Sequence, residues 1–183
     1  MDLFTIVLLI ILIVICGTKL FLSYLGMEDI RVDASAPAEL ESRDANSLVL
    51  SKKLRFYNEG KQCATIMDAI CRSQLPYEQY DGIAVCPKAE REGEVREDDY
   101  FEAVIIQKKG YKGGEDSLNI FAKVKLTPRK GMSLEEALSH MVDLPVDFIW
   151  QETGRRVQHY KKLRLEFTAE EIAKLAGVQL VKD

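Results

Sequence analysis

The sequence has few of the residues on which active sites and metal sites most often depend. It contains only two histidines, His140 and His159, and no Gly-x-Ser-x-Gly turn. A Ser-His-Asp or Cys-His arrangement would have to use one of those histidines. Ser139 and His140 are adjacent on a short predicted helix, where neighbouring side chains diverge. We therefore predict no catalytic residue and no enzyme activity.

Closely paired cysteines are also missing. Four cysteines occur without a Cys-x-x-Cys pair, and Cys16 lies in a long apolar run. The other three, Cys63, Cys71 and Cys86, do not have the ligand spacing of a structural zinc site. We predict neither a metal nor a cofactor, and no disulfide framework, which suits a reducing compartment. A single disulfide bond from Cys63 or Cys71 to Cys86 is the alternative that the sequence allows.

An excess of positive charge is also missing. The chain has 25 basic and 29 acidic residues, and residues 47–183 hold 22 of each. A nucleic-acid-binding domain should carry a clear positive excess, and a disordered chain a high net charge, so the sequence argues against both. The glycine-rich stretch 108–116 lacks the residue order of a phosphate-binding loop and predicts a hairpin tip.

A long apolar run opens the chain. Residues 3–25 contain one charge, Lys19, and as a helix they extend about 34 Å, enough to cross a hydrocarbon core of about 30 Å. Apolar residues occupy every face, whereas an interfacial helix keeps a polar side. We predict a transmembrane anchor over residues 1–26. Its most apolar part comprises Leu3, Phe4, Ile6, Val7, Leu8, Leu9, Ile10, Ile11, Leu12, Ile13, Val14 and Ile15.

A cleaved signal peptide, a lipoprotein signal and a buried core helix are the alternatives to this anchor. A lipoprotein signal needs a small residue just before Cys16, where Ile15 stands. No Lys or Arg precedes the run, and the small-residue cleavage patterns occur only at residues 34–38, which argues against cleavage. Lys19 and Arg31 lie within or after the span. Positive-inside counting therefore favours the domain on the cytoplasmic side.

The segment after the anchor is acidic. Residues 27–46 hold six acids and two bases, contain Pro37, and show no apolar period. This composition predicts a flexible linker, which leaves residues 47–183 as the soluble domain.

The sequence of the domain predicts alternating helices and strands. Apolar residues at spacings of three and four favour a helix over residues 58–73, and a short apolar run favours a strand over 82–86. The charged residues 88–99 predict a loop. The runs 100–109 and 117–126 flank the glycine-rich stretch and predict a hairpin, the second run showing the period of two of a half-buried strand.

Later residues predict a second hairpin and two capped helices. The hairpin comprises 146–152 and 155–167. A Ser or Thr followed three residues later by Glu marks each helix start. These pairs are Ser133 with Glu136 for a helix over 134–141, and Thr168 with Glu171 for a helix over 169–176 that ends at Gly177. We therefore expect an α+β domain, with an antiparallel or mixed sheet of two hairpins packed by about three helices.

Charge is unevenly distributed within the neutral domain. Residues 88–102 carry seven acids and three bases, whereas 108–130 carry seven bases and two acids, and 155–166 five bases and one acid. If the two basic hairpins share a sheet face, their side chains form a patch. The candidate ligand-binding residues are Lys108, Lys109, Lys112, Lys123, Lys125, Arg156, Lys162 and Arg164. An ordinary solvated sheet face fits the same charges.

These features predict a single-pass membrane protein whose small domain binds another protein or a second copy of itself. The alternative is a membrane-tethered binder of an anionic ligand, which would be a lipid headgroup, a nucleotide or a nucleic acid. A third alternative is an enzyme with a shallow site. The neutral charge of the domain disfavours nucleic acid.

Overall fold

The computed structural model describes residues 2–94 and 100–181 and contains nine strands and three helices in that part of the chain. In chain order the elements are α1 (Leu3–Leu25), β1 (Ile30–Asp33), β2 (Ala38–Arg43), β3 (Leu48–Asn58), β4 (Ala64–Ser73), β5 (Ile83–Arg91), β6 (Tyr100–Ile106), β7 (Ser117–Pro128), α2 (Leu134–Ser139), β8 (Leu144–Thr153), β9 (His159–Phe167) and α3 (Ala169–Ala176). The protein is thus a mixed α and β protein, dominated by strands.

The strands form two antiparallel sheets. The first sheet has the order β1-β3-β7-β5, and β2 also pairs with β3. The second sheet has the order β6-β4-β8-β9. The two sheets are together called the sandwich, because their inner faces pack on each other.

An aromatic cluster joins the two sheets. Phe56 of the first sheet lies 5.8 Å from Phe148 and 5.3 Å from Trp150 of the second, measured between ring centroids. The predicted alternation in β7 is confirmed, since Leu118 and every second residue to Leu126 are buried. Burial of one such apolar side chain contributes about 1.5–3 kcal/mol, so these inner faces hold the sandwich together.

Both predicted helix caps are confirmed. The Ser133 hydroxyl accepts the Glu136 N–H at 3.1 Å, and the Thr168 hydroxyl accepts the Glu171 N–H at 3.1 Å. Gly177 ends α3 in the left-handed conformation, with φ 68°. The caps satisfy amide groups that a helix start leaves without an intrahelical partner.

The prediction of a helix over residues 58–73 is wrong, because residues 64–73 form β4 in the middle of the second sheet. A bulge interrupts this strand between Met67 and Ile70, with Asp68 at φ 49°. The extra residue shifts the inward alternation by one position. Apolar residues on either side of the bulge therefore fall at helix-like spacings.

The first predicted hairpin is also wrong. The runs predicted to pair are β6 and β7, but β6 pairs with β4 while β7 pairs with β3 and β5, so the loop between them crosses from one sheet to the other. The second predicted hairpin is confirmed, since β8 and β9 pair from Leu144 opposite Phe167 to Glu152 opposite His159. The predicted set of two hairpins also lacks β3, the central strand of the first sheet.

The segments predicted as linker and loop contain strands. Within 27–46, β1 and β2 both pair with β3, so the segment is not a flexible tether along its length. Only Ala38 of β2 is buried, which explains why this edge strand shows no apolar period. The strand predicted over 82–86 is present as β5 and extends to Arg91. Part of the loop predicted over 88–99 is therefore strand, and residues 95–99 of that loop lie outside the described residues.

Candidate membrane-proximal site

The N-terminal helix projects away from the sandwich. Among the 23 residues of α1, all of them described, none is buried. Its most apolar 18-residue window has a mean hydropathy of 2.8. By length and composition α1 is a candidate membrane span, and a signal sequence would meet the same criteria.

A buried carboxylate joins α1 to the sandwich. Glu28 is 1% exposed, and its two oxygens accept the N–H groups of Arg155 at 3.1 Å and Arg156 at 2.9 Å. Both arginines lie in the turn between β8 and β9. The carboxylate oxygen also lies 4.0 Å from the Arg156 side chain. The chain that leaves the helix is therefore held by the sandwich within three residues of its end.

The pKa of Glu28 reflects these contacts. Burial acts to raise the pKa, because it removes water from the charged form. Hydrogen bonds from the Glu28, Arg156 and Arg155 amides, together with the Arg156 charge, outweigh burial and hold the pKa below its ordinary value of 4.5. Glu28 is thus ionised in the folded protein at neutral pH.

The sandwich also binds the last carbonyl groups of α1. The Arg155 guanidinium donates to the Gly26 carbonyl at 2.6 Å and the Leu22 carbonyl at 3.4 Å. The Gln62 side-chain amide donates to the Leu25 carbonyl at 2.9 Å. The Leu22 carbonyl also accepts the Gly26 N–H at 3.3 Å, whereas the final turn of a helix leaves carbonyls such as that of Leu25 without an intrahelical donor. Here side chains from two separate turns of the sandwich supply the donors.

The turn after β3 also bonds the backbone of residues 27–29, which follow α1. The Asn58 side-chain oxygen accepts the Asp29 N–H at 3.2 Å and the Gly60 N–H at 2.8 Å, while the Lys61 N–H donates to the Met27 carbonyl at 2.9 Å. A Cβ atom at Gly60 would lie 2.4 Å from the Asp29 nitrogen. Only glycine fits at this close approach of two backbones.

A groove lies where these turns meet the helix, and we call it the helix-end groove. It has a volume of about 560 Å³ and is lined by the end of α1 (Tyr24, Leu25), the turn after β3 (Glu59, Gly60, Lys61, Gln62) and the loop after β6 (Lys108, Lys109). Lys109 pairs with Glu59 at 2.5 Å, and this bond and charge raise the pKa of the lysine. Lys61 and Lys108 add further positive charge.

The structure divides the predicted basic patch into three parts. Lys108, Lys109 and Lys112 lie on the loop between β6 and β7, and the Lys109 N–H reaches the Gly60 carbonyl beside α1. Arg156 lies on the β8–β9 turn, next to Glu28. Lys108, Lys109 and Arg156 therefore belong to the region around the end of α1, and Lys112 lies further along the same loop as the two lysines.

The other four lie on the outer faces of different sheets. Lys123 of the first sheet pairs with Glu41 at 2.5 Å and Glu90 at 2.8 Å, and Lys125 lies on the same face of β7. Burial acts to lower the pKa of Lys123, but the bonds to the two glutamates raise it overall. Because the outer faces of a sandwich point in opposite directions, these lysines are separate from Lys162 and Arg164.

Lys162 and Arg164 lie on β9 in the second sheet. They bond Asp147 at 3.3 and 3.1 Å, and Asp147 is 4% exposed. Burial acts to raise the pKa of Asp147, whereas the bonds and charges of Arg164 and Lys162 lower it overall. The positive charges of Lys162 and Arg164 therefore compensate the Asp147 carboxylate on the outer face of the second sheet.

Sequence reasoning missed Lys61 as a member of the site at the end of α1, and it grouped Arg155 only with the other bases of the second basic hairpin. Lys61 lies in a segment predicted to be helical, and Arg155 is one of several bases in its run. Each is placed at the end of α1 only by tertiary contacts. No signal in the local sequence identifies such contacts.

The outer face of the second sheet carries several exposed or partly exposed apolar side chains. Ile105 is 58% exposed and Tyr160 is 72% exposed, and between them lie Met67 and Gln151. The Gln151 side-chain amide donates to the Tyr160 hydroxyl at 3.0 Å. Ile149 of β8 lies on the same face and is partly exposed. An antiparallel sheet with one face in water usually carries polar residues there, so these apolar side chains depart from the usual pattern.

The described residues contain few other groups that could bind a metal or react. Among residues 2–94 and 100–181, no group of three or more His, Cys, Asp and Glu side chains could hold a metal ion. The four cysteines are free, and Cys71 is buried in the sandwich, where burial raises its pKa to about 12. The His159 ring nitrogen Nδ1 lies 3.0 Å from the Val157 carbonyl.

Comparisons with known proteins give a distant structural likeness. No protein-family model matches the sequence, and no characterised protein matches it. The GAE domain of yeast GGA1 is similar at 10% identity and a TM-score of 0.36, over 75% of this chain and 90% of that chain. The GAE domain of GGA2p from Saccharomyces cerevisiae is similar at 8% identity and a TM-score of 0.30, over 72% and 98%. At TM-scores this low, the likeness carries no argument about function.

Proposed function

We propose that this chain is a single-pass membrane protein whose sandwich is held against the membrane surface and binds another protein there. The observation that carries the proposal is the junction at Glu28. An apolar helix with no buried residue runs directly into a folded domain that bonds carbonyls of the last turn of that helix. A signal peptide destined for removal needs no such contacts with the mature domain.

Alkaline carbonate extraction of membranes that contain the full-length protein tests the anchor. We expect the protein to stay in the pellet at its full length, because a spanning helix resists extraction whereas surface contacts do not. Lys19→Leu is a matched control, since it should leave the protein in the pellet as well. Release of the full-length chain, or a chain shortened by about the length of α1, would contradict the proposal.

The proposed partner surface is the outer face of the second sheet. Ile105 and Tyr160 are exposed at its membrane-proximal half, and Lys162 and Arg164 lie beyond them on β9. Exposed apolar side chains rimmed by charges are typical of protein-interaction sites. This arrangement fits a partner that presents apolar side chains flanked by carboxylates.

Site-specific photocrosslinking in membranes tests this surface. A photoreactive side chain at position 105 should form a crosslink to a partner protein, because Ile105 is one of the exposed apolar side chains of this face. The same side chain at position 125, on the outer face of the first sheet, is the control and should form none. Equal crosslinking at both positions, or none at position 105, would refute the assignment.

We further propose that the sandwich lies on the cytoplasmic side. The basic residues around the helix-end groove support this orientation, since the cytoplasmic leaflet is anionic. Cys63 and Cys86 are exposed and report on sidedness. A membrane-impermeant thiol reagent should label them only after the cells are permeabilised, and labelling in intact cells would place the sandwich outside.

A further inference from the structure

We infer that the helix-end groove and the adjacent turn at residues 154–158 bind the headgroups of anionic phospholipids. The inference rests on the proposed function, because it requires α1 to span the bilayer. The argument uses the depth of the groove, its charge, and an exposed apolar side chain beside it.

The length of α1 sets the depth of the groove. A helix of 23 residues extends about 34 Å, slightly more than the hydrocarbon core of about 30 Å. The last turn of α1 therefore reaches the headgroup layer. Tyr24 is 80% exposed in that turn, and tyrosine is enriched at membrane interfaces. Because Tyr24 and Leu25 line the groove, the groove itself lies among the headgroups.

The charge of this region favours an anion. The bases that line the groove or lie in the turn are Lys61, Lys108, Lys109, Arg155 and Arg156, Lys112 lies on the loop after β6, and the acids of these segments are Glu28, Glu59, Glu115 and Asp116. The acids already have partners in several cases. Glu28 binds the amides of the turn, Glu59 pairs with Lys109, and Asp116 accepts the Gly110 N–H at 3.0 Å.

Several of the bases are available to a ligand. Lys61 and Lys112 are exposed and make no ion pair with a described residue. The Lys108 ammonium lies 6.0 Å from the centre of the Tyr111 ring, a contact that leaves its charge uncompensated. The groove therefore presents lysine side chains at the depth of lipid phosphates.

The turn at residues 154–158 identifies the ligand as a membrane lipid. Val157 is 88% exposed, and it is two residues from Arg155, which bonds the carbonyls at the end of α1. An apolar side chain at this depth can insert between lipids, whereas a soluble phosphate or a nucleic acid would leave it in water. The combination of basic side chains with an inserted apolar residue is the one that anionic bilayer surfaces favour.

Lipid selectivity of the reconstituted full-length protein tests the inference. Phosphatidylcholine vesicles would contain trace spin-labelled phosphatidylglycerol or spin-labelled phosphatidylcholine, and the immobilised fraction of each label would be measured. We expect a preference for the anionic label that weakens with salt. The triple variant Lys61→Gln, Lys108→Gln, Lys112→Gln should lower that preference at least about five-fold, which corresponds to about 1 kcal/mol, the contribution of one basic residue.

A matched triple variant controls for total charge. Lys125→Gln, Lys130→Gln and Lys174→Gln remove the same charge from positions far from α1 and should keep the preference. An equal loss in both variants, or no preference in the unmodified protein, would overturn the inference. Displacement of the label by soluble glycerol phosphate would also overturn it, since the site would then recognise a free anion.

Insertion of the turn is tested separately by fluorescence. The variant Val157→Trp adds an indole whose emission brominated phosphatidylcholine should quench, while Trp150 is 5% exposed within the sandwich and should stay unquenched. Absence of quenching in the variant would refute insertion. The carbonate extraction separates the two proposals, because a chain that resists extraction but shows no lipid preference would refute only this inference.

Discussion

The junction between helix and sandwich depends on one ionised side chain, Glu28, and its replacement makes a quantitative prediction. Glu28→Gln keeps the size of the side chain and one acceptor oxygen, but replaces the other oxygen with a donor. That donor then faces an amide N–H of the β8–β9 turn, at Arg155 or Arg156. One buried N–H therefore loses its acceptor.

The expected cost follows from the chemistry of that bond. A hydrogen bond to a charged group contributes about 1.5–3 kcal/mol, and a buried donor left without a partner costs about 1–3 kcal/mol. Because both figures describe the same lost interaction, they are alternatives and do not add. We expect the free energy of unfolding to fall by about 1–3 kcal/mol at pH 7.

The effect should depend on pH with a definite sign. The pKa of Glu28 is lower in the folded protein than its ordinary value of 4.5. The stabilisation is therefore fully present above about pH 4.5 and is lost as the pH falls through the folded pKa. Protonated Glu28 resembles glutamine, so the difference between the wild-type protein and Glu28→Gln should shrink below pH 4.5.

Urea unfolding of the full-length protein in non-ionic detergent measures these quantities. Trp150 reports on the core, since it is buried against Phe56 and Phe148. Glu78→Gln is the matched control, because Glu78 is exposed and its change should be nearly neutral. A Glu28→Gln variant within about 0.5 kcal/mol of wild type, the usual range for a surface substitution, would refute the reasoning.

The packing of the sandwich makes two further predictions. Gly60→Ala should lower the free energy of unfolding by about 1–3 kcal/mol, because its Cβ would approach the Asp29 nitrogen and the Met27 carbonyl oxygen. In the same urea experiment Gly114→Ala should cost less, because its Cβ meets only the movable Gln107 side chain. Cys71 should react with a maleimide at pH 8 only after unfolding, because burial raises its pKa to about 12 and the thiolate is the reactive form. Labelling of Cys71 in the native protein, measured by mass spectrometry, would show that the core opens there.

Local patterns in the sequence predicted the elements whose signals are complete within a short segment. The apolar run predicted α1, the side-chain caps at Ser133 and Thr168 predicted α2 and α3, and the alternation of Leu118 to Leu126 predicted β7. Each signal reflects contacts among residues close in the chain or a single buried face. Such signals do not depend on which other element packs against them.

Other strands lack a complete local signal. The bulge at Asp68 gives the apolar residues of β4 the spacing of a helix. In β2 nearly all residues are exposed, so the strand has no apolar alternation. In β3 the inward positions include Lys52, whose ammonium reaches the Glu166 carbonyl at the edge of the sandwich. A strand of this kind is recognised from its partners, because hydrogen bonds to the neighbouring strands stabilise it.

By itself, then, the sequence determined that an apolar helix of spanning length precedes a neutral domain of strands and two capped helices. Only the tertiary structure decided that the acidic segment between them is part of the sandwich. It also decided that Lys61, Arg155 and the loop at Lys108 meet at the end of α1. Charge and hydropathy are properties of each residue, whereas the site arises from backbone pairing between strands distant in the chain, which places side chains together without any local pattern.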